Sequence, residues 1–395
     1  MSIMTDTANT LSGSPFLGLP AAVPADGLDA GVAAHYGNPM IEQRKLAAGQ
    51  AIVDLSHRGV LSVSGPDRRS WLNSMTSQAL DRLEPGESSE TLVLDATGRV
   101  EYDVRVFDDG VTAWLLLEAQ ELPGLKTWLE RMKFMLRVEI ADESENYATV
   151  GAMAEDAAAL AALGLPVAAP NDIALAWADP WSAVVAGGWQ YAAAEGHPAS
   201  AWHWNEVLVP RAELPALAQR VRSGELSAAG TLALEALRIA AWRPRLALEG
   251  DEKTIPHELD WLRSAVHLNK GCYRGQETVA KVHNLGHPPR RLVMLHLDGS
   301  DTILPVHGDE VLAEKVRPET EAEWKVVGQI TSAAIHHELG PIALAVVKRA
   351  VPVSVQLEVH AHGEKVAAAQ EAIVPTDAGA EANIPRLPRL GARTH

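Results

Sequence analysis

Cysteine is almost absent from this chain of 395 residues, which contains a single one. One cysteine excludes an internal disulfide, and it excludes a zinc or iron–sulfur site built from four cysteines of this chain alone. No run of about 18 apolar residues occurs, so no membrane-spanning helix is predicted. The first residues lack a basic segment followed by an apolar one, and we therefore expect no signal peptide. Together these absences favour a reducing compartment, and the cytoplasm is the expected location.

Positive charge is also scarce, because 34 basic residues stand against 51 acidic ones and the formal net charge is −17. Such a balance argues against a uniformly attractive surface for nucleic acid or anionic lipid. We therefore expect neither a nucleic-acid partner nor a membrane partner. A polyanionic ligand would need a local basic patch.

The remaining composition is that of a globular protein, with 47% hydrophobic and 22% charged residues. Helical and strand-like patterns alternate first, and short strands separated by Gly, Pro and charged turns follow, which predicts an α+β, multi-domain chain with a C-terminal all-β barrel module. The predicted division is a disordered leader (1–30), an N-terminal α+β domain (31–150), a middle α+β domain (151–285), a C-terminal β-barrel domain (286–372) and a disordered tail (373–395).

Two local patterns in the first half predict particular elements. Pro66 suits the first position of a helix that would place Trp71, Leu72, Met75 and Ala79 on one face. The segment that follows predicts a hairpin over residues 90–110, turning at Ala96-Thr97-Gly98. A strand is also predicted at residues 135–140.

The only cysteine lies in the segment KGCYRGQE, residues 270–277. Thiolate is the reactive form of cysteine, and the positive charges of Lys270 and Arg274 would favour it. Gly271 and Gly275 permit a tight backbone that exposes the sulfur. The alternative interpretation is a small buried hydrophobic side chain, and the sequence leaves both open.

Two histidines follow this segment at helical metal-ligand spacing, His283 and His287. Gly286 and the Pro288-Pro289 pair argue against a helix at this point. A loop with two unrelated histidines is the favoured interpretation, and no metal site is predicted.

The segment KGCYRGQE resembles the K-G-C-Y-x-G-Q-E signature of the YgfZ family of folate-binding proteins, which are relatives of the glycine-cleavage T-protein. Other stretches agree with that superfamily in the same order: VDLSHRGVLSVSGPDRRSWLN near the N-terminus, EALRIAAWRPRL, IPHEL, and VGQITSAA near the C-terminus. The resemblance extends over roughly residues 35–372.

This resemblance implies an aminomethyltransferase-like fold of three domains around a central channel in which tetrahydrofolate binds, with residues 31–150 as the folate-binding domain. It also implies a folate-dependent role in the assembly or repair of iron–sulfur proteins. The expected cofactor is tetrahydrofolate or a derivative. The expected partners are folate and iron–sulfur enzymes or assembly proteins.

The chain departs from the T-protein at its acidic motifs. Where that enzyme has a pair of acids in the hairpin, this chain has Tyr102 followed by Asp103. The glutamate of a second motif falls on or near Trp202, with Glu206 downstream. Aminomethyl transfer needs a carboxylate beside the reacting nitrogen. We therefore expect a folate pocket without that chemistry, and whether the protein is an enzyme stays open.

The resemblance and the residue types define a candidate site in which Cys272 is the reactive thiol. Folate needs a flat slot, a carboxylate for the pterin edge and cations for its anionic tail. The candidate folate-binding residues are Asp103, Arg238, Glu258, Lys270, Tyr273, Gln276, Glu277 and Arg291.

Each of the charged candidates has a structural alternative. Arg238 either binds the folate tail or forms an intrahelical ion pair with Glu235. Asp103 either contacts the pterin or is the solvent-side residue of a strand. Glu258 either contacts the ligand or forms a loop hydrogen bond, and the basic residues 270, 290 and 291 either bind the tail or form a solvated face.

Three functions are consistent with these residues. The favoured one is a tetrahydrofolate-binding protein that assists iron–sulfur cluster assembly or repair without aminomethyltransferase activity. The alternatives are an active folate-dependent aminomethyl or methylamine transferase, and a protein-binding scaffold with a vestigial folate pocket.

Overall fold

The computed structural model describes residues 13–192, 194–299, 303–315 and 323–382. Its α-helices within those residues are α1 (Pro39–Ala47), α2 (Arg68–Met75), α3 (Leu122–Met132), α4 (Ala157–Ala162), α5 (Leu214–Arg222), α6 (Thr231–Ala240), α7 (Leu246–Glu249) and α8 (Gln276–Leu285). The strands of the first half are β1 (Val23–Pro24), β2 (Ala33–His35), β3 (Ala51–Asp54), β4 (Gly59–Ser64), β5 (Ser88–Leu94), β6 (Val100–Asp108), β7 (Thr112–Leu117), β8 (Glu139–Asp142) and β9 (Tyr147–Met153). The remaining strands are β10 (Ala176–Ala178), β11 (Trp204–Pro210), β12 (Ser227–Ala229), β13 (Arg290–Leu297), β14 (Glu310–Lys315), β15 (Glu323–His336), β16 (Gly340–Lys348), β17 (Leu357–Ala361) and β18 (Glu364–Ala372).

The first sheet is antiparallel and has the order β5-β6-β7-β4-β8. The predicted hairpin is present, since β5 pairs with β6 across the turn at residues 95–99. Helices α2 and α3 cover one face, where their leucines pack against Val93, Val104 and Val106. The opposite face of the sheet contributes Leu92 and Phe107 to the central core of the molecule.

Two predicted elements of this region differ from the structure. Helix α2 ends at Met75, because Thr76 is extended with φ of −127°, and Ala79 therefore lies beyond the helix. The strand predicted at 135–140 begins only at Glu139, and Met135 is 98% exposed. An apolar run alone did not distinguish a strand from an exposed loop.

The second sheet has the order β10-β11-β9-β3-β12, with β12 parallel to β3 and the other pairs antiparallel. It joins β3, at residues 51–54, to strands that begin at residue 147 or later in the chain. The predicted boundary at residue 150 therefore cuts through a sheet and through strand β9. Long-range strand pairing of this kind leaves no compositional break in the sequence.

The C-terminal module is a closed six-stranded barrel of order β13-β16-β15-β14-β17-β18, as predicted. Every pairing in it is antiparallel, and closure leaves no free sheet edge. Its interior is filled by alternate apolar side chains such as Val293, Leu295 and Val347.

The predicted leader and tail are both too long. Within residues 13–30, Phe16 is fully buried against α5 residues such as Leu217, and the Ser14 hydroxyl donates to the Asp54 carboxylate. In the tail, Ile373 and Val374 are fully buried. Residues 1–12 and 383–395 lie outside the described residues, so the prediction of disorder there stays a prediction.

The central core collects side chains from both sheets, α6 and the barrel. Seven of the eleven tryptophans belong to it: Trp114, Trp177, Trp181, Trp202, Trp204, Trp242 and Trp261. This core surrounds the polar centre described below. In the described residues, no helix has both the length and the apolar character that a bilayer crossing requires.

Candidate functional site

The loop that carries the cysteine is clamped at its beginning by Lys270. The Lys270 ammonium donates to the backbone carbonyls of Asn73 at 2.5 Å, Thr76 at 2.8 Å and Gln78 at 2.6 Å, at the C-terminal end of α2. A helix C-terminus presents free carbonyls and attracts cations. Burial lowers the pKa of Lys270 to about 8, which keeps it protonated at pH 7. This side chain is therefore an anchor of the loop.

The middle and the end of the loop are clamped as well. Tyr273 is buried in the central core, and the Lys270 Nζ lies 5.3 Å from the centre of its ring. Gln276 Nε2 donates to the Lys270 carbonyl at 3.2 Å. Gly275 has a φ of 82°, and a Cβ there would lie 2.7 Å from the Asp95 carbonyl oxygen. Lys270, Tyr273, Gly275 and Gln276 of the motif thus hold the loop in place.

Cys272 is exposed at the tip of this clamped loop. It forms no hydrogen bond to another residue of the described chain. The two cations expected to favour its thiolate have other partners, since Lys270 binds the α2 carbonyls and Arg274 pairs with Glu101 at 3.1 Å. Glu277 is exposed in the first turn of α8. The loop therefore presents the sulfur to solvent.

A polar central cavity lies between the first sheet, the second sheet and α6. Its volume is about 30 Å³, and it is lined by Arg58, Arg105, Asp179, Trp202, Trp204, Glu206, Leu234, Glu235, Arg238, Arg243, Pro244 and Arg245. Cys272 is not among the lining residues, so the thiol and this cavity do not share one site.

Strand β6 divides its side chains between this centre and the outer face of the sheet. Successive residues of a strand point to opposite faces. Asp103 and Arg105 therefore share the inner face with Phe107, while Tyr102 shares the outer face with Val104 and packs towards α3. Tyr102 replaces an acid on the outer face, so this departure removes no carboxylate from the cavity.

The Asp103 carboxyl is fully buried beside that of Glu90, which lies diagonally across the β5–β6 pair. Burial and the neighbouring Glu90 carboxylate raise the pKa of Asp103 well above its ordinary value, although Arg243 and Arg105 oppose the shift. Arg243 in turn lies 2.6 Å from Glu90 and 2.9 Å from Asp179. Asp103 therefore holds a proton more readily than an ordinary aspartate.

The most buried of the acidic residues that line the cavity is Glu206 on β11. It accepts hydrogen bonds from Arg58 Nη1 at 2.6 Å and from Trp204 Nε1 at 3.1 Å, and Arg105 lies 3.6 Å away. Burial alone would raise the pKa of Glu206, but Arg105 and Arg58 hold it below its ordinary value. Trp204 stacks on Trp202 at 5.8 Å, so two indoles form one wall.

Arg238 lines the cavity, but its donors are already used. They bind Glu235 at 2.7 Å, Glu249 at 2.9 Å, the Ser332 hydroxyl at 2.7 Å and the Arg243 carbonyl at 2.7 Å. The structure thus contains the ion pair with Glu235 that was the alternative to a ligand role. This network ties α6 to the barrel.

The remaining charged candidates lie away from the cavity. Glu258 binds Arg290 at 2.8 Å and the backbone N–H of Ile255, as its structural alternative proposed. Arg291 is fully buried in the barrel, where it donates to the Gln370 side chain and the Val351 carbonyl. Neither Glu258 nor Arg291 lines the cavity, and a folate tail in the cavity has no direct access to them.

The two histidines after the motif have separate partners, but the first is helical. His283 lies on α8, which continues to Leu285, and its Nδ1 lies 3.1 Å from the Tyr191 hydroxyl. His287 Nδ1 lies 2.8 Å from the Ala378 carbonyl oxygen. The loop predicted for both positions is wrong for His283, because Gly286 terminates the helix only after it. Among the described residues, no group of three or more His, Cys, Asp or Glu can hold a metal ion.

The cavity contains donor types that suit tetrahydrofolate. Three buried polar atoms of its lining residues make no hydrogen bond within the described chain: Arg58 Nε, Glu206 Oε2 and Arg243 Nη1. With the two stacked indoles they provide an aromatic wall, a carboxyl group and cations. The volume does not fit, because sites for such ligands measure about 300–1,000 Å³ and this cavity is near 30 Å³.

Sequence reasoning missed most of this cavity, including Arg58, Arg105, Arg243 and the stacked indoles. A signal was present in the hairpin, where the charged residues Glu90, Asp103 and Arg105 alternate with apolar residues that face the core, such as Leu92 and Phe107. Buried charges are rarely tolerated unless they are paired. Cross-strand register would therefore have indicated one polar cluster on the inner face.

Comparison with known proteins agrees with this architecture. Residues 290–373 match the family described as the glycine cleavage T-protein C-terminal barrel domain. The crystal structure of the glycine cleavage system aminomethyltransferase T from Bartonella henselae aligns with a TM-score of 0.68 and 18% identity, covering 90% of this chain and 94% of that chain. The fold is therefore that of a glycine cleavage T-protein.

Curated relatives come from several groups. A putative chloroplastic transferase of Arabidopsis thaliana is 25% identical over 63% of this chain and 56% of its own length, so the match spans little more than half of that protein. An aminomethyltransferase of Rippkaea orientalis is 25% identical over 82% of this chain and 85% of its length. A mitochondrial iron–sulfur cluster assembly factor IBA57 homolog of Mycosarcoma maydis is 25% identical over 75% of each chain. These findings support membership of the chain in the T-protein superfamily of aminomethyltransferase-like proteins.

Proposed function

We propose that this protein binds tetrahydrofolate in its central cavity and assists the assembly or repair of iron–sulfur clusters in client enzymes through Cys272. The observation that carries the proposal is the exposed sulfur on a loop clamped at both ends. A lone thiol with a fixed position can meet a partner surface without the cost of ordering a mobile loop.

The T-protein-like fold and the iron–sulfur assembly relative support this assignment. One thiolate cannot hold a cluster alone, so the client or an assembly protein has to supply the other ligands. Cys272 would then be one ligand or one transient acceptor in a complex. Its separation from the central cavity makes the folate and thiol functions independently testable.

For tetrahydrofolate, the cavity residues divide by chemistry. Trp202 and Trp204 would provide the flat wall, the unpaired Oε2 of Glu206 could accept a hydrogen bond from the pterin, and Arg58 and Arg243 would suit anionic groups. When bound, tetrahydrofolate supplies a carrier for one-carbon groups. Its entry requires these side chains to move apart, because the present volume is near 30 Å³.

The electrostatics of the cavity argue against aminomethyltransferase activity. A proton acceptor beside the reacting nitrogen has to be ionised and available. Glu206 is held by Arg58 and Arg105, which keep its pKa below the ordinary value and so weaken it as a base. Burial and Glu90 raise the pKa of Asp103, and Asp103 is not among the residues that line the cavity.

The proposed function predicts a cellular phenotype for the thiol. In cells that lack the wild-type gene, Cys272→Ser is expected to lower the activity of iron–sulfur enzymes several-fold relative to the wild-type chain, because serine cannot replace a thiolate ligand. The measurement is enzyme activity in extracts, normalised to an enzyme without a cluster.

A matched control is Ala280→Ser, an exposed position on α8 that adds a hydroxyl without touching the thiol. It should behave as the wild type. If Cys272→Ser, expressed at the same level, supports full activity, the role of the thiol is refuted.

A further inference from the structure

A second, larger opening lies outside the central cavity and is here called the outer groove. Its volume is about 520 Å³, and it is lined by Asp95, Arg99, Val100, Glu101, Tyr102, Glu121, Trp128, Leu246, Ala247, Gly250, Asp251 and Glu252. The groove runs between the β5–β6 turn, helix α3, and helix α7 with the segment that follows it. Its volume is within the range of ligand sites, about 300–1,000 Å³.

The groove is predominantly acidic, because its lining contains five acidic residues and one basic residue, Arg99. Two of the acids already have partners, since Glu101 pairs with Arg274 and Asp251 with Arg290. Within the described chain, Asp95 accepts hydrogen bonds from its own turn, and Glu121 and Glu252 form no salt bridge. Burial and Glu118 raise the pKa of Glu121 to about 7, so Glu121 is only partly ionised at neutral pH, whereas Glu252 adds a full charge. Net negative charge therefore remains after the internal pairs are counted.

The groove also has aromatic walls. Tyr102 and Trp128 are half-buried, so each keeps part of its ring accessible. Grooves lined by aromatic rings bind proline-rich segments in the polyproline II conformation, and flanking carboxylates pair with arginines of such segments. The combination of rings and carboxylates thus selects an extended, proline-containing basic peptide over an anionic ligand.

A segment of that kind is part of this chain. Residues 383–395 read NIPRLPRLGARTH, with prolines spaced as P-x-x-P at Pro385 and Pro388. The segment contains Arg386, Arg389 and Arg393 and no acidic residue. Prolines at this spacing favour polyproline II and reduce the entropy lost on binding.

The described chain ends within reach of the groove. Ala382 donates to the Asn284 carbonyl at the C-terminal end of α8, while Gly275 at the other end abuts the Asp95 turn of the groove. A helix of this length spans ~15 Å. Thirteen residues in polyproline II span ~40 Å, which exceeds that distance with length to spare.

We propose that the outer groove binds the basic proline-containing segment 383–395 of the same chain. Arginines of the segment pair with Glu121 and Glu252, and its prolines pack on Tyr102 and Trp128. The site is separate from the central cavity, and the proposal does not depend on folate binding.

The test uses a synthetic peptide of residues 383–395, labelled at its N-terminus and titrated by fluorescence anisotropy. The chain ending at Ala382 is expected to bind it at least tenfold more tightly than the full chain, because the tethered segment competes at an effective concentration of ~1 mM. Glu121→Gln together with Glu252→Gln should weaken binding to the shortened chain at least fivefold, and so should higher salt.

Two matched controls isolate the groove. Glu310→Gln together with Glu364→Gln changes the charge equally on exposed barrel strands and should leave peptide binding unchanged. A peptide with Arg386→Ser and Arg389→Ser should bind more weakly than the native peptide. Folding of each variant is checked by thermal unfolding.

Four outcomes overturn the proposal. The first is absence of binding to the shortened chain at 1 mM peptide, a concentration that matches the effective concentration of the tethered segment, ~1 mM. The second is equal affinity of the peptide for the shortened and full chains, and the third is binding that the groove substitutions leave unchanged. The fourth is a full-length dimer that dissociates when residues 383–395 are removed. The last result would assign the segment to the groove of a second copy.

Discussion

Gly275 and Gly271 flank the exposed cysteine, but only one of them is required by the backbone. Gly275 has a φ of 82°, in the left-handed region, and its α-carbon faces the Asp95 carbonyl and Gly98. At Gly271 a Cβ would meet nothing within 4 Å. From the sequence, both glycines were expected to permit a tight backbone. A motif does not show that Gly275 packs closely against the distant turn at Asp95.

Gly275→Ala is therefore expected to lower the free energy of unfolding by at least ~2 kcal/mol, since it combines a left-handed φ with a close backbone contact. Gly271→Ala should change it by less than ~0.5 kcal/mol, as for other open surface positions. Urea unfolding followed by circular dichroism measures both. Equal losses in the two variants would contradict the close contact between this loop and the β5–β6 turn.

Strand β6 holds two buried aspartates in different environments. Burial and Glu90 raise the pKa of Asp103, whereas Asp108 accepts two hydrogen bonds from Arg68, at 2.8 and 2.7 Å, in a buried ion pair. The two aspartates are chemically identical in the sequence. Their partners come from β5 and α2, and these contacts depend on tertiary structure.

Asp103→Asn is predicted to be tolerated and to gain stability relative to the wild type as the pH rises from about 4 towards 7. The folded Asp103 retains its proton while the unfolded chain loses it, so the wild type loses about 1.4 kcal/mol for each pH unit between the two pKa values. The amide side chain has no proton to lose. Unfolding free energies at pH 5 and pH 7.5 measure the difference.

Asp108→Asn, on the same strand, serves as the comparison variant. It leaves the buried Arg68 without its carboxylate and should cost about 3–5 kcal/mol, with no gain at the higher pH. A similar loss in both variants, or an Asp103→Asn difference that is independent of pH, would refute the raised pKa of Asp103.

At the level of elements, the β5–β6 hairpin and the C-terminal strands followed from turn residues and strand-like apolar segments in the sequence. Elements whose ends depend on distant packing were less predictable. Strand β8 starts later than its apolar pattern suggested, and α8 extends through His283 despite the nearby Gly and Pro residues.

For the whole molecule, the resemblance predicted the T-protein fold, but the sequence did not reveal the polar centre. Tryptophans that lie far apart in the chain converge in one core, and Trp202 and Trp204 stack as one wall of the cavity. Their convergence results from the packing of two sheets, α6 and the barrel, which no local pattern encodes. For the same reason the sequence did not show that Cys272 lies outside the lining of the central cavity.

The separation of thiol and cavity implies that folate binding and the thiol function can be lost independently. Tetrahydrofolate binding should depend on the indole wall and on the arginines of the centre, and it should not depend on the exposed loop. This expectation gives the account its most direct test.

That test is an anaerobic calorimetric titration of tetrahydrofolate into the wild type, Cys272→Ser and Trp202→Leu. The account predicts binding of one ligand per chain by the wild type, the same affinity for Cys272→Ser, and at least tenfold weaker binding for Trp202→Leu. Absence of binding to the folded wild type, or loss of binding on substitution of Cys272 alone, would contradict it.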